Sequence, residues 1–153
     1  MSDRAVKGKN YFLEGYNCSQ SVALAFADIV NVDKETLLKM ASCFGGGMGR
    51  LREVCGTFSG ILLIEGLTLG YSSPDAKKSK TELYAKIHML ADEFKNKNGS
   101  LICRDLLKGV EHTDGAVPEE RTPEYYKKRP CPDLVASAVE MLEEHLKGYG
   151  VIN

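Results

Sequence analysis

The stretch FGGGMGRLREVCGTFSG, Phe44 to Gly60, decides how the rest of the chain is organised. Its glycines at 45–47 and 49 are too dense for regular structure and predict a turn that uses positive φ angles. Cys55 follows this turn at the start of an apolar run, where a helix is expected to begin. The stretch therefore predicts a loop and a first helical turn that hold Cys55 at the centre of a thiol site.

The apolar segment from Cys55 to Tyr71, CGTFSGILLIEGLTLGY, is predicted to form a buried central helix. Small residues recur four apart on one face of this helix, as Gly56 with Gly60 and Gly66 with Gly70. Each glycine costs about 1 kcal/mol in a helix interior. We therefore expect the backbone of another helix to approach this face closely.

Helical patterns also flank the central segment. They are predicted at 4–13, 18–30, 33–43, 74–97, 100–107 and 132–147, with Asn17 and Asp33 as N-caps. The polar stretch 109–128 carries two prolines and predicts a long surface loop or lid. A chain of 153 residues fits one domain. The prediction is an all-α single domain, residues 1–153, with five to seven helices around the central one.

Composition and charge restrict the classes of function. Hydrophobic residues make up 43% and charged residues 27%, and 20 basic against 21 acidic side chains leave a net charge of -1. This balance disfavours nucleic acid and anionic membranes as partners. The first residues lack the apolar run of a signal sequence, and no stretch is long enough to span a bilayer. We expect a cytoplasmic protein without membrane insertion.

Five cysteines lie far apart in the sequence, without a CxxC pair or a zinc-ribbon spacing. Cytosolic cysteines usually stay reduced, so metal binding, thiol redox chemistry and core packing are the open explanations. Cys43 falls at a helix C-terminus, where the dipole disfavours a thiolate. It is predicted to be a small buried hydrophobic residue.

The other four cysteines, Cys18, Cys55, Cys103 and Cys131, all fall in the opening turns of predicted helices. Helix N-termini and nearby arginines lower a cysteine pKa, and Cys131 between two prolines is predicted to be the most activated. The resulting thiolates are nucleophiles in disulfide exchange and ligands for soft metals. We therefore predict that the four sulfurs share one site, and that they are its catalytic or metal-binding groups.

The glycine turn has two interpretations. Its bare amides, with Arg50 or Arg52, would surround a sulfur anion or cluster, which makes Arg50 a candidate cofactor-binding residue. Otherwise it is a tight turn with exposed arginines. Dinucleotide binding is disfavoured, because the GxGxxG spacing and a preceding strand are missing.

The order of Cys18, CGTFSG at Cys55 to Gly60, Cys103, and Cys131 in RPCP resembles the C-GCAxxG-C-C family of redox-active proteins. The resemblance covers nearly the whole chain and includes FGGGMGR before the motif. It implies a small helical protein with four functional cysteines, and it adds Gly56 and Gly60 to the motif. Similar domains accompany split-Soret cytochromes, where they are linked to an iron–sulfur cluster. Thr57 stands where the family pattern has alanine. The threonine would add a hydroxyl near the sulfur.

Two mechanisms are therefore open for the predicted redox function. Four cysteines would hold an iron–sulfur cluster, or two of them would cycle between dithiol and disulfide. In a third interpretation the chain is a binding module without enzymatic activity. It would then hold zinc structurally or dock onto a transporter or cytochrome. A redox partner protein is expected, and exposed apolar helix faces would support a homodimer.

Overall fold

Helical segments account for all the regular structure of residues 1–153 in the computed structural model. They are α1 (Asp3–Leu13), α2 (Cys18–Ala25), α3 (Lys34–Ser42), α4 (Gly45–Met48), α5 (Gly56–Leu69), α6 (Lys77–Asn98), α7 (Cys103–Leu106), α8 (Pro123–Lys128) and α9 (Cys131–Gly148). The only β-type pairing is an isolated antiparallel bridge between Val54 and Ile102. The predicted all-α class is confirmed. No helix combines the length and the apolar character needed to cross a membrane.

Two segments raise the number of elements above the prediction. The four-residue α4 is the predicted glycine turn, because Gly46 and Gly47 have left-handed φ angles of 67° and 74°. The short α8 lies inside the stretch predicted as loop. It begins with Pro123 in its first turn, and the Thr122 hydroxyl accepts a hydrogen bond from the Tyr125 amide. The sequence of α8 is polar and lacks the regular spacing of apolar residues from which the other helices were predicted, so α8 was not predicted.

The core forms where α5 packs against α2, α6 and α9, while α1 covers α2 and α9. Its largest fully buried apolar side chains come from most of the helices: Phe12, Phe26, Leu37, Ile61, Ile64, Leu90, Phe94, Leu107, Met141, Leu142 and Leu146. Because α5 is buried over most of its length, it is the central helix that the apolar segment predicted.

Close contact between α2 and α5 depends on two of the four predicted small residues. A Cβ added to Gly60 would lie 2.8 Å from Cβ of Val22 and 3.1 Å from the carbonyl oxygen of Ser19. The same holds for Gly56, described below. A Cβ at Gly66 would meet nothing within 4 Å, and Gly70 is the C-cap. The predicted close approach is therefore right for the first pair of glycines and wrong for the second.

Candidate thiol redox site

Four cysteines border one internal void of about 10 Å³, together with Gly56 and Thr57: Cys18, Cys55, Cys103 and Cys131. A void of this size holds about one water molecule. Three of the thiols are buried, whereas Cys18 is partly exposed. The structure thus brings together the four residues that the sequence singled out, and their chemical roles remain a prediction.

Helix starts position the four sulfurs, as predicted. Cys18, Cys103 and Cys131 are the first residues of α2, α7 and α9, and Cys55 is the N-cap of α5. The start of α2 is fixed by a capping box in which the side chain of Asn17 accepts from the Gln20 amide.

Backbone pairing that no local pattern indicated joins Cys55 to Cys103. The Cys55 amide donates to the Leu101 carbonyl at 2.7 Å, and the Cys103 amide donates to the Glu53 carbonyl at 2.6 Å. These two bonds flank the isolated bridge between Val54 and Ile102. They bring the starts of α5 and α7 side by side, although almost fifty residues separate them in the sequence.

The glycine turn lies directly beneath Cys103. A Cβ on Gly47 would be 2.6 Å from Cβ of Cys103, so only glycine fits there. Left-handed φ angles continue into three residues that rarely adopt them, Met48 at 69°, Arg50 at 65° and Arg52 at 59°. Each such residue costs roughly 1–2 kcal/mol. Backbone strain of this kind concentrates at functional sites.

Cys18 is the acidic thiol of the cluster. The interaction with the Cys131 thiol lowers the pKa of Cys18 to about 6, and the backbone N–H of Gly46 and the charge of Arg121 act in the same direction. Cys18 is therefore largely a thiolate at neutral pH. A thiolate that remains accessible is the usual nucleophile in disulfide exchange.

Burial has the opposite effect on the other three thiols. It raises the pKa of Cys55 to about 12 and also raises the pKa of Cys103, despite the Arg52 guanidinium 3.8 Å from the Cys103 sulfur. The interaction with Cys18, and then burial, raises the pKa of Cys131 well above its ordinary value. The prediction of four activated thiols with Cys131 foremost is wrong, because loss of solvent outweighs the helix dipole at Cys55 and Cys103, and because the interaction with Cys18, together with burial, does so at Cys131.

Two further residues confirm or correct the sequence analysis. The Thr57 hydroxyl lies 3.1 Å from the Cys55 sulfur, so the departure from the family's alanine does add a polar contact at this thiol. Cys43 caps the end of α3 and is exposed. The prediction that it is buried is wrong, because the buried face of α3 is the one that bears Leu37 and Ala41, and Cys43 does not lie on that face.

Beside the cluster lies a cavity of about 270 Å³, which Cys18, Cys103 and Cys131 also line. Arg50 lines it too, and donates from Nε to the Gly115 carbonyl at 2.7 Å and from Nη2 to the Thr113 carbonyl at 2.8 Å. These bonds tether the segment 110–122, called the lid below, over the cavity.

Metal binding requires ligands that surround the ion. No group of three or more His, Cys, Asp or Glu side chains is arranged to hold a metal ion. The void between the four sulfurs also has room for about one water molecule rather than for a cluster of iron and sulfide. The arrangement therefore does not fit a cluster as it stands, and iron–sulfur and zinc binding stay predictions.

Taken together, the helical fold and the shared void define a small all-α protein with clustered thiols. A family model described as "Putative redox-active protein (C_GCAxxG_C_C)" matches residues 16–145, so the chain belongs to this family and the resemblance is confirmed. The match spans all four cysteines of the site. Searches of curated proteins and of solved structures gave no match.

Proposed function

We propose that the protein carries out thiol–disulfide exchange, with Cys18 as the attacking thiol and Cys131 as the resolving thiol. One observation carries the proposal: Cys18 and Cys131 border the same small void, and their interaction lowers the pKa of Cys18 while it raises the pKa of Cys131. This contact pairs a thiolate with a thiol that is placed to attack it. Such pairing is what a dithiol needs in order to close into a disulfide.

The proposed reaction with a substrate disulfide has two steps. The Cys18 thiolate attacks one sulfur, the substrate S–S bond breaks, and one substrate thiolate leaves while a mixed disulfide forms on Cys18. The departing thiolate takes the proton of Cys131. The Cys131 thiolate then attacks the Cys18 sulfur and releases the second substrate thiolate. Two electrons pass from the protein to the substrate, and a Cys18–Cys131 disulfide remains.

The remaining thiols have a supporting role in this proposal. Because burial raises the pKa of Cys55 and of Cys103, both stay neutral during the reaction. As neutral groups, they add no negative charge beside the Cys18 thiolate. The backbone amide of Gly46, in the left-handed turn, stabilises that thiolate and so lowers the pKa of Cys18.

The proposal is tested by oxidising the reduced protein with hydroxyethyl disulfide under anaerobic conditions and mapping the products by mass spectrometry. The expected product is a Cys18–Cys131 disulfide with loss of two hydrogen atoms. Cys18→Ser should abolish the reaction, and Cys131→Ser should stop it at a mixed disulfide on Cys18. A disulfide between any other pair would overturn the assignment.

Cys43→Ser is the matched control, because Cys43 is an exposed cysteine outside the cluster. This variant should form the Cys18–Cys131 disulfide at the wild-type rate. If Cys43→Ser slows the reaction as strongly as Cys18→Ser, the reactive thiol lies elsewhere and the proposal fails.

An iron–sulfur cluster is the second candidate, because four cysteines converge on one place, although the void between them is too small for it as it stands. Four cysteine thiolates are the usual ligand set of such clusters. The sulfurs would have to move apart to admit one. Iron, zinc and sulfide are to be measured in protein purified without oxygen. If the wild-type protein contains iron and sulfide, and each of the four Cys→Ser variants loses them, the cluster replaces the dithiol proposal. In that case Cys43→Ser should retain both.

A further inference from the structure

The cavity beside Cys18 carries a strong positive charge. Four arginines line it, against the single carboxylate of Glu119: Arg50, Arg52, Arg121 and Arg129. Arg129 pairs with Glu119, so that carboxylate is already engaged. The other three guanidinium groups donate to backbone carbonyls, and of these three only Arg52 has a carboxylate nearby, that of Asp114 at 3.5 Å.

Arg52 is the least satisfied of the four. Its side chain is 3% exposed, yet its Nε has no hydrogen-bond partner. The nearest carboxylate oxygen, on Asp114, is 3.5 Å from Nε and lies outside hydrogen-bonding geometry. A buried N–H of a charged group without an acceptor is costly. Arg52 lines the cavity, so its incompletely satisfied guanidinium points to an anionic acceptor that binds there.

Arg50 supplies a second free donor. Its bonds to the lid come from Nε and Nη2, so both N–H groups of Nη1 remain available. Paired guanidinium N–H groups are the preferred partners of carboxylates. Arg50 and Arg52 share the Thr113 carbonyl as an acceptor, which keeps the two side chains next to each other.

The size of the cavity limits what can enter. At about 270 Å³ it is just below the usual range for small-molecule sites. Ala116, Pro118 and Glu119 of the lid form part of its wall. Cys18 lines this cavity and is the one partly exposed thiol of the cluster, so a reactant reaches it through this space. A small molecule fits this approach better than an exposed disulfide on a folded protein.

We propose that the substrate of this site is a low-molecular-weight disulfide that bears a carboxylate, which Arg50 and Arg52 bind while its sulfur faces Cys18. This inference rests on the proposed thiol–disulfide exchange and adds the substrate class. The covalent steps are the same: two electrons pass from the Cys18–Cys131 pair to the anionic disulfide, which leaves as two thiols.

The test compares three small disulfides of different charge on the reduced protein: anionic dithiodipropionic acid, neutral hydroxyethyl disulfide and cationic cystamine. The rate constant for each disulfide is divided by the rate constant for the reaction of the same disulfide with β-mercaptoethanol thiolate. This ratio corrects for the intrinsic reactivity of the disulfide. We expect the anionic probe to react about tenfold faster than the neutral one, which corresponds to about 1.4 kcal/mol. High ionic strength should reduce this preference.

Variants of one arginine assign the preference to the cavity. Arg50→Gln should remove most of the preference for the anionic disulfide. Arg50→Lys should retain part of this preference, because lysine keeps the positive charge but lacks the paired N–H groups of the guanidinium. The control is Arg104→Gln, an exposed arginine that donates to the Leu51 carbonyl and does not line the cavity. It should behave as wild type.

The outcomes separate the two proposals. If none of the probes oxidises Cys18 and Cys131, thiol–disulfide exchange itself is wrong. If all three react at equal corrected rates, exchange stands and the anionic substrate is wrong. The same conclusion follows if wild type shows a preference that neither salt nor Arg50→Gln reduces.

Discussion

Gly56 lies directly against Cys18: a Cβ on this glycine would be 3.1 Å from Cβ of Cys18 and 2.8 Å from the Phe44 carbonyl oxygen. Two helix starts meet at this point, because α2 begins at Cys18 and α5 begins at Gly56. The glycines of the sequence CGTFSG therefore have a steric purpose. They allow α2 and α5 to approach closely enough for Cys18 and Cys55 to border one void.

Gly60→Ala is predicted to destabilise the protein by about 1–3 kcal/mol, the usual cost of overpacking. The added methyl carbon would lie 2.8 Å from Cβ of Val22, which is closer than two carbon atoms can approach, and would push α2 away from α5. The free energy of unfolding is to be measured by denaturant titration.

Gly66→Ala is the control in the same helix, because a Cβ there meets nothing within 4 Å. Alanine should stabilise this position by about 0.5–1 kcal/mol through its better helix propensity. Equal effects at Gly60 and Gly66 would contradict the steric account of the motif.

Alkylation of Cys18 by iodoacetamide should be half-maximal near pH 6, since Cys131 and the Gly46 amide lower the pKa of Cys18 to about 6. Cys131→Ser weakens the largest of these interactions and should move the midpoint upward. Rates are to be followed by mass spectrometry of the Cys18 peptide across pH. A wild-type midpoint near that of a free thiol, about 8.5, would refute the assignment of Cys18 as the acidic thiol.

The same pKa shift predicts how stability depends on pH. Because the folded-state pKa of Cys18 is below its unfolded value of about 8.5, the thiolate stabilises the fold above that pH. This contribution is lost as pH falls through about 6. Cys131, whose pKa is raised, stays protonated in both states over most of this window. Wild type should therefore lose stability relative to Cys18→Ser between pH 8.5 and pH 6, as measured by urea unfolding.

Glu65 and His145 form a buried pair between α5 and α9, with Oε1 of Glu65 3.0 Å from Nε2 of His145. Glu65 is fully buried, and its second oxygen, Oε2, has no partner. His145→Ala should cost about 3–5 kcal/mol in unfolding free energy, because it leaves the carboxylate buried without its partner.

The double variant Glu65→Gln/His145→Ala checks this explanation. A neutral amide is less costly to bury unpaired than a carboxylate, so the double variant should be more stable than His145→Ala. If the two are equally unstable, the cost of His145→Ala comes from lost packing and not from the stranded charge.

Much of the fold was predictable because its signals are local. Asn17 and Asp33 cap helices as their side chains indicated, and the glycine turn adopts the positive φ angles that its composition required. The convergence of the four cysteines was predicted from their shared position at helix starts. In contrast, the exposed Cys43 was predicted as buried, because its exposure depends on which face α3 turns to the core.

The sequence by itself determined the helices, their capping residues and which four thiols belong together, because these follow from periodicity, side-chain chemistry and spacing along the chain. Only the tertiary structure decided which thiol is acidic. Burial and the contact between Cys18 and Cys131 come from elements more than a hundred residues apart. The arginine-lined cavity was decided in the same way, since the lid reaches Arg50 and Arg52 only after the chain has folded back on itself. Desolvation and long-range contacts are properties of the packed chain, and no local pattern encodes them.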